Sequence, residues 1–211
     1  MRLMEINIFM EEPNITSLGP FTRYGVWFYG CDKHCRGCIY HEKDDGSYKS
    51  VEVEALVRNI LSYNNIEGVT ISGGEPFLQF RGLELLVKKL SKEGLGIIVY
   101  TGKLFSEIAE DSNLSGILRY IDLLIDGEYV KEQDYNNSLI GSANQTPYFL
   151  TPRYADYSPQ YKSRGRRVSE VTLLNNEIHS VGIPTEEEKI IFEAILQTTR
   201  KLDSGRSQNA N

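Results

Sequence analysis

Apolar residues fall at positions 4, 6, 8 and 10, an alternation that predicts a strand over Met4–Met10 with one buried face. Asn14–Pro20 reads as loop. Tyr24–Tyr29 is aromatic and β-branched, a strand that ends at Gly30 and runs straight into Cys31. His41–Ser50 is polar and contains glycine, so a loop is expected, with Ser50 capping a helix whose inner face is Val53, Leu56, Val57 and Ile60. A short buried strand over Gly68–Ser72 stops at Gly73-Gly74. Leu83, Leu86, Val87 and Leu90 carry helical spacing over Phe80–Leu90, and Gly94 closes that helix. Leu95–Tyr100 is a strand ending in Thr101-Gly102, Phe105–Ala109 a short helix, and Ile121–Ile125 a strand ending in Asp126-Gly127.

Strand and helix thus alternate from residue 24 to 126, the pattern of parallel strands joined by crossover helices. Polar and glycine-containing segments sit at the C-terminal ends of those strands, the rim where such sheets and barrels place their sites. Four rim segments converge: Cys31–Cys38, Gly73–Pro76, Thr101-Gly102 and Asp126-Gly127. The units are too few for a closed eight-unit barrel, so the expected α/β fold is a partial (β/α) barrel. Beyond residue 130 the pattern changes. Asn136–Gly165 has no strong period, Arg167–Leu174 and Ile178–Val181 form a hairpin turned at Asn175-Asn176, and Thr185–Leu202 is a final helix opened by a Thr185/Glu188 capping box. The expected organisation is a core over 1–150, a hairpin-plus-helix extension over 151–202 packed on it, and a disordered tail over 203–211.

With 211 residues, 40% hydrophobic and 25% charged, the composition suits one globular domain. A net charge of −6 argues against nucleic acid as a partner, and Arg164, Arg166 and Arg167 read as a solvated loop. No run approaches the roughly 20 apolar residues of a membrane span, and the N-terminus lacks a signal peptide's apolar stretch, so no membrane partner and a cytoplasmic location are expected.

The chemistry sits in the cysteines. All three lie between positions 31 and 38, spaced C-x3-C-x2-C, and a clustered odd set in a cytosolic chain reads as metal-binding or catalytic. A [4Fe–4S] cluster fully held by protein takes four cysteines. With three, one iron is left open to a substrate. Gly30 and Gly37 permit the tight loop. The competing readings are a zinc site completed by His34 or His41, a metal-free cysteine cluster, and an electron carrier lacking a ligand. Downstream, Gly73-Gly74 at a strand end exposes backbone to a close ligand, and Glu75 places a negative charge suited to an ammonium group. The alternative is a turn with a surface glutamate.

The cysteine motif, followed after a helix by a strand ending in Ser72-Gly73-Gly74-Glu75-Pro76, resembles the radical S-adenosylmethionine superfamily. The resemblance implies two cofactors, a [4Fe–4S] cluster on Cys31, Cys35 and Cys38 and S-adenosylmethionine. The latter's methionine end chelates the open iron, and its reductive cleavage yields a 5′-deoxyadenosyl radical. The lead-in Gly19-Pro20-Phe21-Thr22-Arg23, Arg36-Gly37-Cys38, Tyr100-Thr101-Gly102, the IDLLIDGE stretch at Ile121–Glu128, and Gly141-Ser142-Ala143-Asn144-Gln145 resemble the activases of glycyl radical enzymes, the anaerobic ribonucleotide reductase branch above all. Phe21, Ile39-Tyr40-His41 and everything from Thr151 onward depart from that pattern.

The resemblance implies that Gly73, Gly74, Glu75 and Pro76 hold the methionine end. Thr101 and Asp126 would meet ribose or substrate, Asp126 having a turn-capping alternative. Tyr40 would stack on adenine or else pack in the core, and Asn144 and Gln145 would line the site or form a polar turn. His34 and His41 read as exposed loop residues and His179 as structural. The implied partners are a glycyl radical enzyme and flavodoxin or ferredoxin as electron donor. Radical modification of a small molecule or ribosomal peptide, and a non-catalytic iron–sulfur or zinc module, are the alternatives.

Overall fold

The structure, a computed structural model, describes residues 3–43, 46–135, 139–162, 169–174 and 177–185, together with 187, 188, 190, 191 and 194. The strands are β1 (Glu5–Ile15), β2 (Arg23–Phe28), β3 (Lys49–Glu52), β4 (Gly68–Gly73), β5 (Gly96–Tyr100), β6 (Leu123–Asp126), β7 (Thr146–Phe149), β8 (Ser169–Leu174) and β9 (Glu177–Gly182). The helices are α1 (Ile39–Lys43), α2 (Val53–Leu61), α3 (Phe80–Lys92), α4 (Phe105–Glu110) and α5 (Ser158–Lys162). Seven strands form one mixed sheet in the order β3-β1-β2-β4-β5-β6-β7, and β8 and β9 pair separately.

The parallel block is β2, β4, β5 and β6, in register from Arg23↔Gly68 to Phe28↔Gly73 and from Ile98↔Leu123 to Tyr100↔Ile125. Parallel strands need crossovers, which α2, α3 and α4 supply. Their apolar stripes, Val53, Leu56, Val57 and Ile60 on α2 and Leu83, Leu86, Val87 and Leu90 on α3, pack on Val26, Val69, Ile71, Ile97 and Val99 of the sheet. Each such side chain contributes roughly 1.5–3 kcal/mol of burial. Alternate residues, Ile98, Leu123 and Ile125, point to the other face and meet Ile140, Tyr154 and Tyr161. Burial on both faces is why these strands read as continuous apolar runs.

The predicted elements of this block are all present. Ser50 is a correction: it lies in β3, paired with Asn7, and the residue preceding α2 is Glu52, which makes no side-chain cap. β1 also runs five residues past Met10, through irregular pairing with β2. Within Asn136–Gly165, where no element is predicted, β7, a 3-10 turn over Pro152–Tyr157 and α5 occur. The hairpin is found as β8 and β9, while its Asn175-Asn176 turn lies outside the described residues. Thr185 and Glu188 exchange both hydrogen bonds of a capping box at 2.7 and 3.2 Å. Most of the predicted helix beyond them, the tail from Asp203 and the arginines at 164, 166 and 167 also lie outside the described residues. No described helix is long and apolar enough to cross a membrane.

The hairpin is fastened to the sheet by one carboxylate. Glu170 accepts from the Thr16 and Ser17 backbone amides at 2.9 and 3.0 Å and from the Thr16 hydroxyl at 2.7 Å. Val181 packs with Ile15 and Leu18, against Met10, Trp27 and Ile183. Burial raises the Glu170 pKa, but these donated hydrogen bonds outweigh it and hold the carboxyl below its ordinary value. A depressed folded pKa stabilises above the unfolded value of about 4.3 and loses that contribution as pH falls through the folded one. Acidification below about pH 4 is therefore expected to release the hairpin, read as a red shift of Trp27, the single tryptophan of the chain. Glu170→Gln is expected to show the same shift at neutral pH.

Candidate active site

Because β2, β4 and β5 run parallel, their C-terminal ends meet along one edge. Cys31, Cys35 and Cys38, Gly73 to Glu75, and Thr101 and Gly102 line a single cleft of about 210 Å³ there. The cysteine loop leaves β2 through Gly30 at φ 90°, and Gly37 sits at φ 73°, left-handed conformations that suit glycine. Tyr40 on α1 braces the neck of the loop, its hydroxyl accepting from the Gly30 amide at 2.7 Å. The His41 ring nitrogen bonds to the Lys33 carbonyl at 2.6 Å. His34 is exposed, as expected, but His41 is half-buried and ties α1 to the loop.

All three thiols are half-buried on the cleft wall. Burial pushes the Cys31 thiol up to about 11, against a lowering backbone hydrogen bond from Lys33, with the charge of Glu75 adding to the rise. Burial likewise raises Cys35, against a backbone hydrogen bond from Tyr129. Thiolates, not thiols, bind metal, so loading the loop releases protons. Among the described residues no group of three or more His, Cys, Asp or Glu is gathered closely enough to hold a single ion. Three cysteines lining one cleft suit an iron–sulfur cluster that the protein does not fully ligate.

The glycine rim has a different basis from the one the sequence suggests. The Gly74 amide donates to the Phe28 carbonyl and the Glu75 amide to the Gly30 carbonyl, both at 2.8 Å. A Cβ on Gly74 would lie 2.1 Å from the Gly30 oxygen. These residues hold the cysteine loop by backbone contact, and the two amides face the loop instead of a ligand. Glu75 is no surface residue: it is 1% exposed. Its carboxylate accepts from Phe77 N at 2.9 Å, Thr101 Oγ1 at 2.8 Å and Gly102 N at 2.8 Å. Burial raises its pKa while these donors lower it. Glu75 thus clamps the β4 rim to the β5 rim. Thr101→Val removes one donor from that buried carboxylate and is expected to cost about 1–3 kcal/mol in urea unfolding.

Of the other predicted residues, Tyr40 and Gln145 belong to the cleft lining, whereas Asp126, Pro76 and Asn144 do not. Asp126 is buried, with Oδ2 accepting from Phe105 N at 2.7 Å and Oδ1 from Thr146 N at 3.2 Å, and joins α4 to β7. Pro76 is buried at the start of a 3-10 turn. Tyr40 is 7% exposed and packs edge-on to Phe9 at 5.9 Å while also lining the cleft. Gln145 lines the cleft and braces it, donating to the Gly127 carbonyl and accepting from the Gly141 amide, both at 2.8 Å. Asn144 donates to the Glu128 carbonyl at 2.8 Å. Sequence reasoning missed the Lys33–Glu128 ion pair at 3.2 Å on the cleft wall, Tyr129, and the contribution of Ser180 to Pro184. Nothing in local spacing marks these pairings.

The model of the family described as 4Fe-4S single cluster domain matches residues 17–147, which hold all three cysteines and every rim segment. The chain belongs to this family. Within the single-cluster family it is 37% identical over 147 residues to the anaerobic ribonucleoside-triphosphate reductase-activating protein of Pasteurella multocida (strain Pm70), covering 63% of this chain and 90% of the relative. It is 29% identical over 136 residues to the protein of the same name from Enterobacteria phage T4, covering 60% and 83%. It is 31% identical over 138 residues to the pyruvate formate-lyase-activating enzyme of Staphylococcus epidermidis (strain ATCC 12228 / FDA PCI 1200), covering 60% and 54%. The resemblance to the activase branch therefore stands, and this single-cluster chain is an enzyme that carries an iron–sulfur site.

Proposed function

We propose that the protein generates a glycyl radical on a partner enzyme, an anaerobic ribonucleotide reductase before any other, with S-adenosylmethionine as the radical source. The observation that supports it most is one cleft lined together by three half-buried cysteines, the glycine rim and the Glu75–Thr101 clamp. The names of the relatives point to the partner class. When bound, the cluster supplies the electron that breaks the sulfonium bond and releases the 5′-deoxyadenosyl radical.

The chain's own residues do the rest. Cys31, Cys35 and Cys38 give up their thiol protons and hold the cluster. Gly73 and Gly74 meet the methionine end through their carbonyls, the Gly74 amide being taken by Phe28, while Glu75 keeps Thr101 and Gly102 in place beside them. In this reading the sheet curves as a partial (β/α) barrel over 1–150, residues 151–202 pack on it, and flavodoxin or ferredoxin donates the electron.

The test is anaerobic reconstitution with iron and sulfide, reduction, and addition of S-adenosylmethionine with the reductase. Formation of 5′-deoxyadenosine together with a glycyl radical signal in electron paramagnetic resonance is the expected result. Cys35→Ala should give neither. If 5′-deoxyadenosine forms and the reductase acquires no radical, the substrate is a smaller molecule. If the cluster assembles and no 5′-deoxyadenosine forms even with the reductase present, the reading fails.

A further inference from the structure

The same cleft has a second wall that lies beyond the family-matched segment. Ser180, Gly182, Ile183 and Pro184, from β9 and the residues after it, line the cleft together with Met10 and Trp27. The match ends at residue 147, so this wall is an addition to the family's common core. It is docked by Glu170 on Thr16 and Ser17 and by Val181 on Ile15 and Leu18.

The two walls differ in charge. The charged residues lining the cleft are Lys33, Glu75, Glu128 and Asp134, all on the cysteine and rim side. Each is already partnered: Lys33 with Glu128 at 3.2 Å, Glu75 with Phe77, Thr101 and Gly102, and Asp134 with the Tyr129 hydroxyl at 2.9 Å. Among the described residues the added wall and its neighbours contribute Met10, Leu18, Trp27, Ser180, Gly182, Ile183 and Pro184, none of them charged. A charged group brought against that side loses hydration and meets no counter-charge among the described lining residues, whereas an apolar side chain gains burial.

We propose that the β9–Pro184 segment is a substrate-selecting wall: it admits an uncharged, apolar stretch of partner polypeptide flanking the reacting glycine and rejects a charged one. This rests on the glycyl-radical reading and names the substrate segment which that reading leaves open.

The test uses the reconstituted full chain with S-adenosylmethionine and two capped probes, acetyl-Leu-Gly-Leu-amide and acetyl-Glu-Gly-Glu-amide, titrated calorimetrically. The leucine probe is expected to bind at least about tenfold more tightly. Glu170→Ala, which undocks the hairpin and red-shifts Trp27, is expected to bring the two within about threefold while 5′-deoxyadenosine formation continues. Ile183→Asp, which puts a charge in the wall itself, is expected to weaken the leucine probe by about tenfold. Equal binding of the two probes overturns the proposal. So does no binding of the leucine probe, or a preference that survives in Glu170→Ala despite the Trp27 shift. Absence of 5′-deoxyadenosine in the wild type defeats the glycyl-radical reading instead, and the probe titration still decides the wall.

Discussion

Gly74→Ala will lower 5′-deoxyadenosine formation by about a hundredfold or more, the loss that follows when a site is displaced by about an ångström. The added methyl would sit 2.1 Å from the Gly30 oxygen, 2.7 Å from the Gly30 carbon and 3.3 Å from the Cys31 Cβ. Two of these atoms are backbone and cannot swing aside. Relief requires the cysteine loop to part from the β4 rim, breaking the Gly74–Phe28 and Glu75–Gly30 hydrogen bonds that join them. Cysteine identity is untouched, so iron binding should fall less than cleavage does. Gly116→Ala, whose methyl would meet only the Arg119 guanidinium at 3.8 Å, is the control and should change neither quantity. Full activity in Gly74→Ala would show that the loop and the rim move independently.

Arg23→Met will destabilise the fold by about 3–5 kcal/mol, the cost of removing one member of a buried ionic network. Arg23 is fully buried at the opposite end of the parallel strands from the cleft. Nε donates to the Thr70 hydroxyl at 2.7 Å, and Nη2 donates to the Val69 and Gly96 carbonyls at 2.9 and 2.8 Å. Nη1 reaches Glu67 at 2.9 Å and the Tyr154 hydroxyl at 2.7 Å. Methionine fills much of the volume and satisfies none of these acceptors. Urea unfolding should show a lower midpoint with an unchanged slope. Arg153→Ala removes a second cation from the same Glu67, but Arg153 is about one-third exposed, so its effect should stay within about 1 kcal/mol. Comparable losses in the two variants would deny Arg23 its central place.

The parallel block was legible because its strands are apolar on both faces and its helices carry a complete inner stripe, so period and length agree. The cysteine loop was legible because three identical ligands in eight positions have few other uses. β3 and β7 were not. Each is four residues long at an end of the sheet, and β7 contains Pro147, so neither shows a period. The roles of Tyr40, Glu75 and Asp126 were legible only as positions at strand or loop ends. Whether such a side chain faces a ligand or the next backbone amide depends on contacts as distant as that of Glu75 with Thr101, which spacing does not carry. Arg23 was visible as part of a motif, yet its physical reason lies in residues up to 131 positions away.

That last separation bears on the order in which the chain organises. The β2, β4 and β5 strands bring their N-terminal ends around a guanidinium whose final partner, Tyr154, is supplied seven residues after the family-matched segment stops at residue 147. Until it arrives, Arg23 has its partners on Glu67, Val69, Thr70 and Gly96 but lacks the Tyr154 hydroxyl. Contacts of such sequence separation are late and slow to close. On a ribosome the rim that carries the cysteines is therefore complete in sequence before the tyrosine that completes the Arg23 network at the opposite end of the same strands.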